Sequence, residues 1–205
     1  MIDQAQVRRA IRGLLAATML SLALAPGAHA AKPVTVSCGQ TITKDTKLAN
    51  DLTNCPANGL IIGADNITLD LNGHTIDGDG DGFDSCATEC DAGVDDSGRY
   101  ERIKISGGAI REFVSGVDLV GTKGTRVHQL STTGLAHGAV DISESSDVTV
   151  KDVTSVGDGV AVFVSVSRDV RVERVSGIDE EFVGIGLSRS DRVRVAGNRI
   201  SRSAP

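Results

Sequence analysis

The most acidic stretch of the sequence lies in a glycine-rich segment between residues 77 and 98. Asp77, Asp79, Asp81 and Asp84 stand close together there, and the glycines between them allow the chain to wrap tightly. Ca²⁺ takes carboxylate oxygens from loops of this kind. The segment departs from the EF-hand pattern, because the glutamate that should close the loop comes one position late. Two interpretations stay open, a Ca²⁺ site and a solvated turn without metal.

Three aspartates recur at a constant interval further along the chain. Asp95, Asp118 and Asp141 are separated from one another by 23 residues. If residues at this interval stack, their carboxylates repel one another unless a cation or nearby bases compensate. We predict that Asp118 and Asp141 contact a substrate and that the row holds a cation. Asp96 is the difficulty, because it would then point inward, and a register shift of one residue would remove Asp95 from the row.

A second series carries basic side chains at nearly the same interval. It consists of Lys104, Arg126, Thr149, Arg171 and Arg194. A row of cations on an outward face attracts an acidic polymer. We predict that Arg126, Arg171 and Arg194 bind substrate, and that Arg126 or Lys104 abstracts the proton if the protein is an enzyme. The alternative is that both charged series only keep the surface soluble.

These intervals belong to a repeat that extends from residue 60 to residue 200. The first apolar residue of successive repeats stands at positions 94, 117, 140, 162 and 185, at intervals of 22 or 23 residues. Each repeat has short segments of alternating apolar and polar residues, and none has helical periodicity. Three short strands in each repeat indicate one coil of a parallel β-helix, whose coils stack about 4.8 Å apart.

We therefore predict an all-β fold, a single-stranded right-handed parallel β-helix of about six coils of 22–23 residues. Residues 31–58 are assigned to an N-terminal cap, residues 59–205 to the coils, and residues 77–98 to an insertion loop. A leucine-rich repeat has a similar period, but its framework of leucines and asparagine is missing. Because solenoids need polar caps at both ends, we expect a partner or a further segment to cover the C-terminal coil.

Residues 1–30 have the pattern of an export signal. Three arginines precede an apolar run from Leu14 to Ala25, and Ala28-His29-Ala30 supplies small residues for cleavage. The run is shorter than the roughly 20 residues that span a bilayer as a helix. We predict a cleaved signal, no membrane span, and a periplasmic or extracellular location. The chain has 27 acidic and 21 basic residues, which disfavours nucleic acid as a partner.

Four cysteines lie in the first half of the exported chain. An even number in an oxidising compartment indicates disulfides, and proximity in sequence favours Cys38 with Cys55 and Cys86 with Cys90. A zinc site is the alternative, but no histidine stands at a ligand spacing beside these cysteines.

Several of these segments carry a resemblance to a known family. They are Asn66–Ile76, Ile105–Phe113, and the repeated units at 147–153 and 169–175. On these residues the sequence resembles the right-handed parallel β-helix proteins of the pectin-lyase-like superfamily, and within it a bacterial secreted group related to NosD proteins. The resemblance covers residues 35–203. It implies the fold but no single activity; where such proteins have a known role, complex polysaccharides are the commonest target.

The motifs of enzymes with this fold are incomplete here. Polygalacturonase-like hydrolysis needs paired aspartates, then Gly-His-Gly, then Arg-Ile-Lys, whereas Arg102-Ile103-Lys104 precedes Ala136-His137-Gly138. The Asp-Pro-His motif of alginate epimerases does not occur. The relation to NosD implies copper, but no methionine follows residue 30, and only three histidines do. Ca²⁺ is therefore the one cofactor that the sequence suggests.

Two functions remain open for a sequence with these features. One is a secreted β-helix that binds polysaccharide or serves as a structural or adhesive module of the cell envelope or exterior. The other is a carbohydrate-active enzyme similar to polysaccharide lyases, acting on an acidic glycan with Ca²⁺ as its cofactor. Because no complete set of catalytic side chains is recognisable, the first function is favoured.

Overall fold

The computed structural model describes residues 31–80 and 90–202, and these residues contain strands and no helix. In chain order the strands are β1 (Pro33–Val34), β2 (Gln40–Ile42), β3 (Thr46–Leu48), β4 (Leu52–Cys55), β5 (Leu60–Ile62), β6 (Thr68–Asp70), β7 (Thr75–Gly78), β8 (Ala92–Asp96), β9 (Lys104–Arg111), β10 (Ser115–Val120), β11 (Arg126–Thr133), β12 (Gly138–Ser143), β13 (Thr149–Val156), β14 (Val160–Ser165), β15 (Arg171–Glu173), β16 (Ser176–Ile178), β17 (Val183–Ser188), β18 (Arg194–Ala196) and β19 (Arg199–Ser201).

The strands form two parallel sheets. Sheet 1 has the order β17-β14-β12-β10-β8-β5-β2, so that each of its seven strands belongs to a different coil. Sheet 2 contains the other twelve strands, among them the series β3-β6-β9-β11-β13-β15-β18. The chain visits sheet 1 and then sheet 2 in every coil. The predicted all-β, single-stranded parallel β-helix is therefore confirmed.

The β-helix has about seven coils, one more than the repeat pattern predicts. β2, β3 and β4 pair in parallel with β5, β6 and β7. Ile42, Leu48 and Leu52 are buried in these early strands. The segment predicted as an N-terminal cap thus contains strands that continue both sheets.

Columns of aliphatic side chains fill the interior. Val94, Val117, Val140 and Val162 lie in register in sheet 1, each with 0% exposure. Burial of one such side chain is worth roughly 1.5–3 kcal/mol relative to exposure. Because each valine packs against its equivalents in the coils before and after it, the stability of one coil depends on its neighbours.

The corners of the coils use left-handed backbone conformation. One corner column comprises Arg99, Gly121, Glu144, Val166 and Arg189, with φ between 46° and 65°. This conformation costs residues with a Cβ about 1–2 kcal/mol, whereas glycine adopts it freely. Val166 is strained most in the column, because its side chain is β-branched.

A column of hydroxyl side chains, buried except for the half-buried last member, lies next to that corner. The backbone N–H groups of Thr122, Ser145 and Ser167 donate to the hydroxyl of the residue one coil later, at 3.1, 3.0 and 3.1 Å. The last acceptor is Ser190. Ser145, Ser167 and Ser190 each donate in turn to a carbonyl two residues earlier. Hydroxyls suit this position because they accept and donate at once, which satisfies buried backbone groups.

A disulfide joins Cys38 and Cys55, with 5.5 Å between their Cα atoms, as predicted. Cys90 is also disulfide-bonded. Cys86, its predicted partner, lies outside the described residues, as does the predicted signal at 1–30. The Cys38–Cys55 bond fits an oxidising compartment.

The last described coil exposes apolar side chains. Phe182, Leu187, Val195 and Ile200 have exposures between 44% and 61%. Their equivalents in earlier coils are covered by a following coil. Among the described residues, no helix has the length and hydropathy needed to cross a membrane.

Candidate functional site

The three aspartates stand in register on the outer surface of sheet 1. Asp118 in β10 pairs with Asp95 in β8 on one side and with Asp141 in β12 on the other. The predicted row therefore exists, and the strand register is not shifted. Asp96 points inward with 0% exposure, as this register requires. Its Oδ1 accepts the N–H of Tyr100 at 3.1 Å, and burial raises its pKa to about 7.

A cleft of about 320 Å³ opens beside two members of this row. Asp118 and Asp141 line it from neighbouring strands, and His137 lines it from the turn that precedes β12. Ser115 and Phe163 also line the cleft, one with a hydroxyl group and the other with an aromatic ring. Successive coils thus contribute a carboxylate, an imidazole with a second carboxylate, and an aromatic ring.

Asp141 holds His137 in place. Its Oδ2 lies 2.9 Å from Nδ1 of His137 and accepts a hydrogen bond from Ser115 Oγ at 2.6 Å. Asp141 is only 7% exposed, and its Oδ1 has no hydrogen-bond partner among the described residues. Gly138 leaves room for this carboxylate, since a Cβ there would lie 2.5 Å from Oδ1. Because Nδ1 is engaged, Nε2 is the imidazole atom left for a ligand.

Asp118 and His137 have shifted pKa values. The pKa of Asp118 is raised to about 6, first by burial and then by the negative charges of Asp141 and Asp95. The pKa of His137 is raised because its ring is hydrogen-bonded to the Asp141 carboxylate, which outweighs the opposing effect of burial. Between these two pKa values, Asp118 is ionised while His137 is protonated. Near neutral pH, one cleft is therefore lined by a carboxylate that can accept a proton, Asp118, and an imidazolium that can donate one, His137.

The C-terminal side of the cleft has an apolar and a polar border. Phe163 takes the position of the aspartates in the next coil, and its ring packs edge-on against His137, with centroids 5.6 Å apart and planes at 80°. Gly186 follows in the column, and a Cβ there would lie 2.6 Å from the Phe163 ring. Ser143 and Ser165 stack beside the ring and carry hydroxyls to the same cleft.

The basic series lies in register on sheet 2. Strand pairing stacks Lys104, Arg126, Thr149, Arg171 and Arg194 in that order. Arg126 lines a separate cavity of about 500 Å³ together with His128 and Lys151. None of the described residues that line the Asp118 cleft belongs to this series. The structure therefore does not bring Arg126 or Lys104, the bases suggested by the sequence, to Asp118 and Asp141.

The predicted Ca²⁺ loop is only partly described. Asp77 forms an ion pair with Arg111, with 2.7 Å between Oδ1 and Nε. Asp81 and Asp84 lie outside the described residues. Within residues 31–80 and 90–202, no three side chains of His, Cys, Asp or Glu are grouped as metal ligands would be. Ca²⁺ binding by the loop stays a prediction.

His137 and Ser115 are the site residues that sequence reasoning missed. The sequence places His137 four residues before Asp141, but that spacing has no fixed meaning where a turn leads into a strand. Ser115 lies 26 residues before Asp141, a little more than one coil, and only the lateral packing of β10 and β12 brings the two together. The sequence feature that could have identified His137 is its position close to Asp141, a member of the row of aspartates.

The protein is a parallel β-helix in which a carboxyl group of raised pKa and a histidine line one cleft on sheet 1. No protein-family model matches the sequence, and no curated protein matches it. The structure is similar to that of a "putative glycosyl hydrolase" from Parabacteroides merdae, with 13% sequence identity, coverage of 77% of this chain and 83% of that chain, and a TM-score of 0.49. At this identity and TM-score, no functional conclusion follows from the similarity.

Proposed function

We propose that the protein cleaves glycosidic bonds of a glycan in the cleft between Asp118 and His137. The observation that carries the proposal is that His137, held by Asp141 at 2.9 Å, shares one cleft with a carboxyl group whose pKa is raised to about 6. Shifted pKa values in a concave site are typical of acid–base catalysis. The disulfide and the predicted export signal support a role outside the cytoplasm.

Asp118 and His137 are the proposed catalytic residues. Ionised Asp118 removes a proton, either from the attacking water or from a carbon beside a uronate carboxylate. Protonated His137 gives its proton to the oxygen that leaves, so that one proton is taken up and one is released. Asp141 is a positioning residue, because its Oδ1 is buried and its Oδ2 is engaged by Ser115 and His137.

A sugar is the ligand class that suits this wall. The Phe163 ring offers an apolar surface, and Ser143 and Ser165 offer hydroxyls to the same space. Sugars have apolar C–H faces as well as hydroxyls, and aromatic rings pack against the former. The sequence resemblance to pectin-lyase-like β-helix proteins also points to a polysaccharide.

The test uses the purified protein with polygalacturonate, alginate and xylan. New reducing ends report any cleavage, and ultraviolet absorbance of unsaturated uronates separates elimination from hydrolysis. We expect Asp118→Asn and His137→Gln to lower the rate by roughly 10²–10⁴-fold. His74→Gln is the matched control, since His74 pairs with Asp51 and lines neither this cleft nor the cavity on sheet 2. An equal loss in the control would contradict the proposed roles.

The pH profile tests the assignment of roles. The rate should rise as Asp118 ionises, at a pH of about 6, and should fall again above the raised pKa of His137. A profile that rises without falling would remove His137 as the acid.

Glycan binding without cleavage is the second candidate. It is favoured by the double engagement of Asp141 Oδ2, which leaves Asp118, among the described residues that line the cleft, as the carboxylate that can act on a ligand. Retained binding with no new reducing ends on any of the three polymers would support this candidate and reject the first.

A further inference from the structure

The outer surface of sheet 2 carries a row of cations that follows the axis of the β-helix. Lys104, Arg126, Arg171 and Arg194 are exposed, and strand pairing stacks them with Thr149 in one column. Because equivalent residues of adjacent coils lie about 4.8 Å apart, the column spans roughly 19 Å over five coils. We call this column the basic stripe.

Most cations of the stripe make no close ion pair. Several arginines elsewhere make close ion pairs, namely Arg99 with Glu144 at 2.8 Å, Arg111 with Asp77 at 2.7 Å, Arg174 with Asp152 at 2.6 Å and Arg192 with Asp169 at 2.7 Å, whereas Arg168, Arg189 and Arg199 make none among the described residues. In the stripe, Arg171 approaches Asp147 only to 3.8 Å. Lys104, Arg126 and Arg194 take part in none of the ion pairs formed among residues 31–80 and 90–202.

This absence of pairing does not come from a shortage of acids. The chain carries a net charge of −6, so carboxylates outnumber bases. Lys104 and Arg126 lie directly opposite each other in adjacent strands, and like charges in that position destabilise a sheet. A column that keeps such a repulsion while acids are plentiful is suited to an external anion.

A cavity beside the stripe adds a place for the anion. It has a volume of about 500 Å³, and Arg126, His128 and Lys151 line it together with Gln129 and Thr149. His128 pairs with Lys151 in the adjacent strand, one column away from the stripe. Two acidic residues also line the cavity, Asp152 and Glu173, but Asp152 is already paired with Arg174.

We propose that the basic stripe binds a linear acidic polysaccharide laid along the β-helix axis. The regular rise of the coils presents one positive charge after another, and a polymer with an anionic group on successive sugars presents the complementary series. The stripe and the Asp118 cleft lie on different sheets, so this binding surface goes beyond the proposed cleavage site and does not require cleavage.

Nucleic acid is the other polyanion to consider. Its phosphates are densely spaced, and the net negative charge of this chain opposes it at long range. Single strands also need aromatic side chains for base stacking, and the described stripe and its cavity contain none apart from the imidazole of His128. A glycan is therefore the partner that the surface favours.

The test measures affinity for four polymers of similar length: polygalacturonate, dextran sulfate, neutral dextran and oligo(dT). Lys104→Gln with Arg126→Gln removes two charges of the stripe. Arg99→Gln with Arg111→Gln removes two paired charges elsewhere and is the matched control. Circular dichroism confirms that each variant is folded. All affinities are also measured in the His137→Gln background, in which the proposed cleavage is disabled, so that binding by the stripe is separated from turnover in the cleft.

We expect at least one acidic glycan to bind, with neutral dextran inert. The stripe variant should weaken binding roughly tenfold or more, and the plot of log affinity against log salt should become less steep, because fewer counterions are released. The control should change affinity far less. Equal weakening in both double variants, tighter binding of oligo(dT) than of both acidic glycans, or no binding of either acidic glycan would each overturn the proposal.

Discussion

Asp96 is a carboxyl group inside an aliphatic core, and its effect on the stability of the fold should therefore depend strongly on pH. It occupies the position that Leu119 holds in the next coil, and it has 0% exposure. Its Oδ1 accepts a hydrogen bond from Tyr100 N–H, and the Thr122 side chain also favours the ionised form, while its Oδ2 has no hydrogen-bond partner among the described residues. Burial raises its pKa from 3.8 to about 7. We therefore predict that Asp96→Asn stabilises the protein increasingly as the pH rises.

The sign and size follow from linkage. An acid whose pKa is higher in the folded state than in the unfolded state destabilises the fold as the pH rises from the unfolded pKa to the folded pKa. With values of 3.8 and about 7, the cost of Asp96 is about 2 kcal/mol at pH 5 and about 4 kcal/mol at pH 8. Asparagine keeps the acceptor for Tyr100 and cannot ionise, so the variant escapes this cost.

Urea unfolding followed by circular dichroism at pH 5 and pH 8, with the disulfides intact, measures the effect. The difference in unfolding free energy between Asp96→Asn and the original protein should grow by about 2.5 kcal/mol between the two pH values. Asp96→Leu, which copies the residue of the next coil, should show the same pH dependence although it lacks the acceptor. If the difference in unfolding free energy did not change with pH, the pKa of Asp96 would not be raised in the folded protein. That result would refute the reasoning.

Three further predictions concern the cleft, a corner and the N-terminal coil. Asp141→Asn should lower the pKa of His137, because it removes the negative charge that stabilises the imidazolium; an unchanged titration of the ring in NMR spectra would refute the contact. Val166→Gly should raise the unfolding free energy by about 1 kcal/mol, because Val166 has φ 49° and Gly121 already occupies the equivalent corner; a lower melting temperature would show that side-chain contacts outweigh the strain. Replacing Cys38 and Cys55 by serine should cost about 3 kcal/mol, since the bond closes a loop with a sequence separation of 17 residues; equal stability of the serine variant and the oxidised protein in urea would contradict this.

The repeat made much of the fold predictable. Inward positions of a parallel β-helix must be filled by similar side chains in every coil, so Val94, Val117, Val140 and Val162 reveal both the period and the register. Once the inward positions are known, the outward positions follow from the alternation of a strand. For this reason the rows of Asp118 and of Arg126 could be read from the sequence alone.

The first coil was harder to predict, because its pattern is less regular. The pairing of β4 with β7 shifts register between Leu52 and Cys55, and polar residues interrupt the apolar alternation. The backbone conformation of the corners was equally difficult to predict from the sequence. Left-handed φ values occur at residues of many types, among them Arg99, Glu144 and Val166, because stacking of the coils imposes the turn and overrides the preference of the individual residue.

The composition and interval of the charged rows were determined by the sequence, whereas their roles depend on the tertiary structure. The hydrogen bonds of Asp141 to His137 and Ser115 join residues from a turn and from a neighbouring coil. The pKa of Asp118 depends on burial and on charges one coil away. The chain turns between β10 of sheet 1 and β11 of sheet 2, so the basic stripe lies on a different sheet from the cleft. Distances and burial between coils arise only when the coils stack, which is why one chain with two regular charged rows has two separate surfaces.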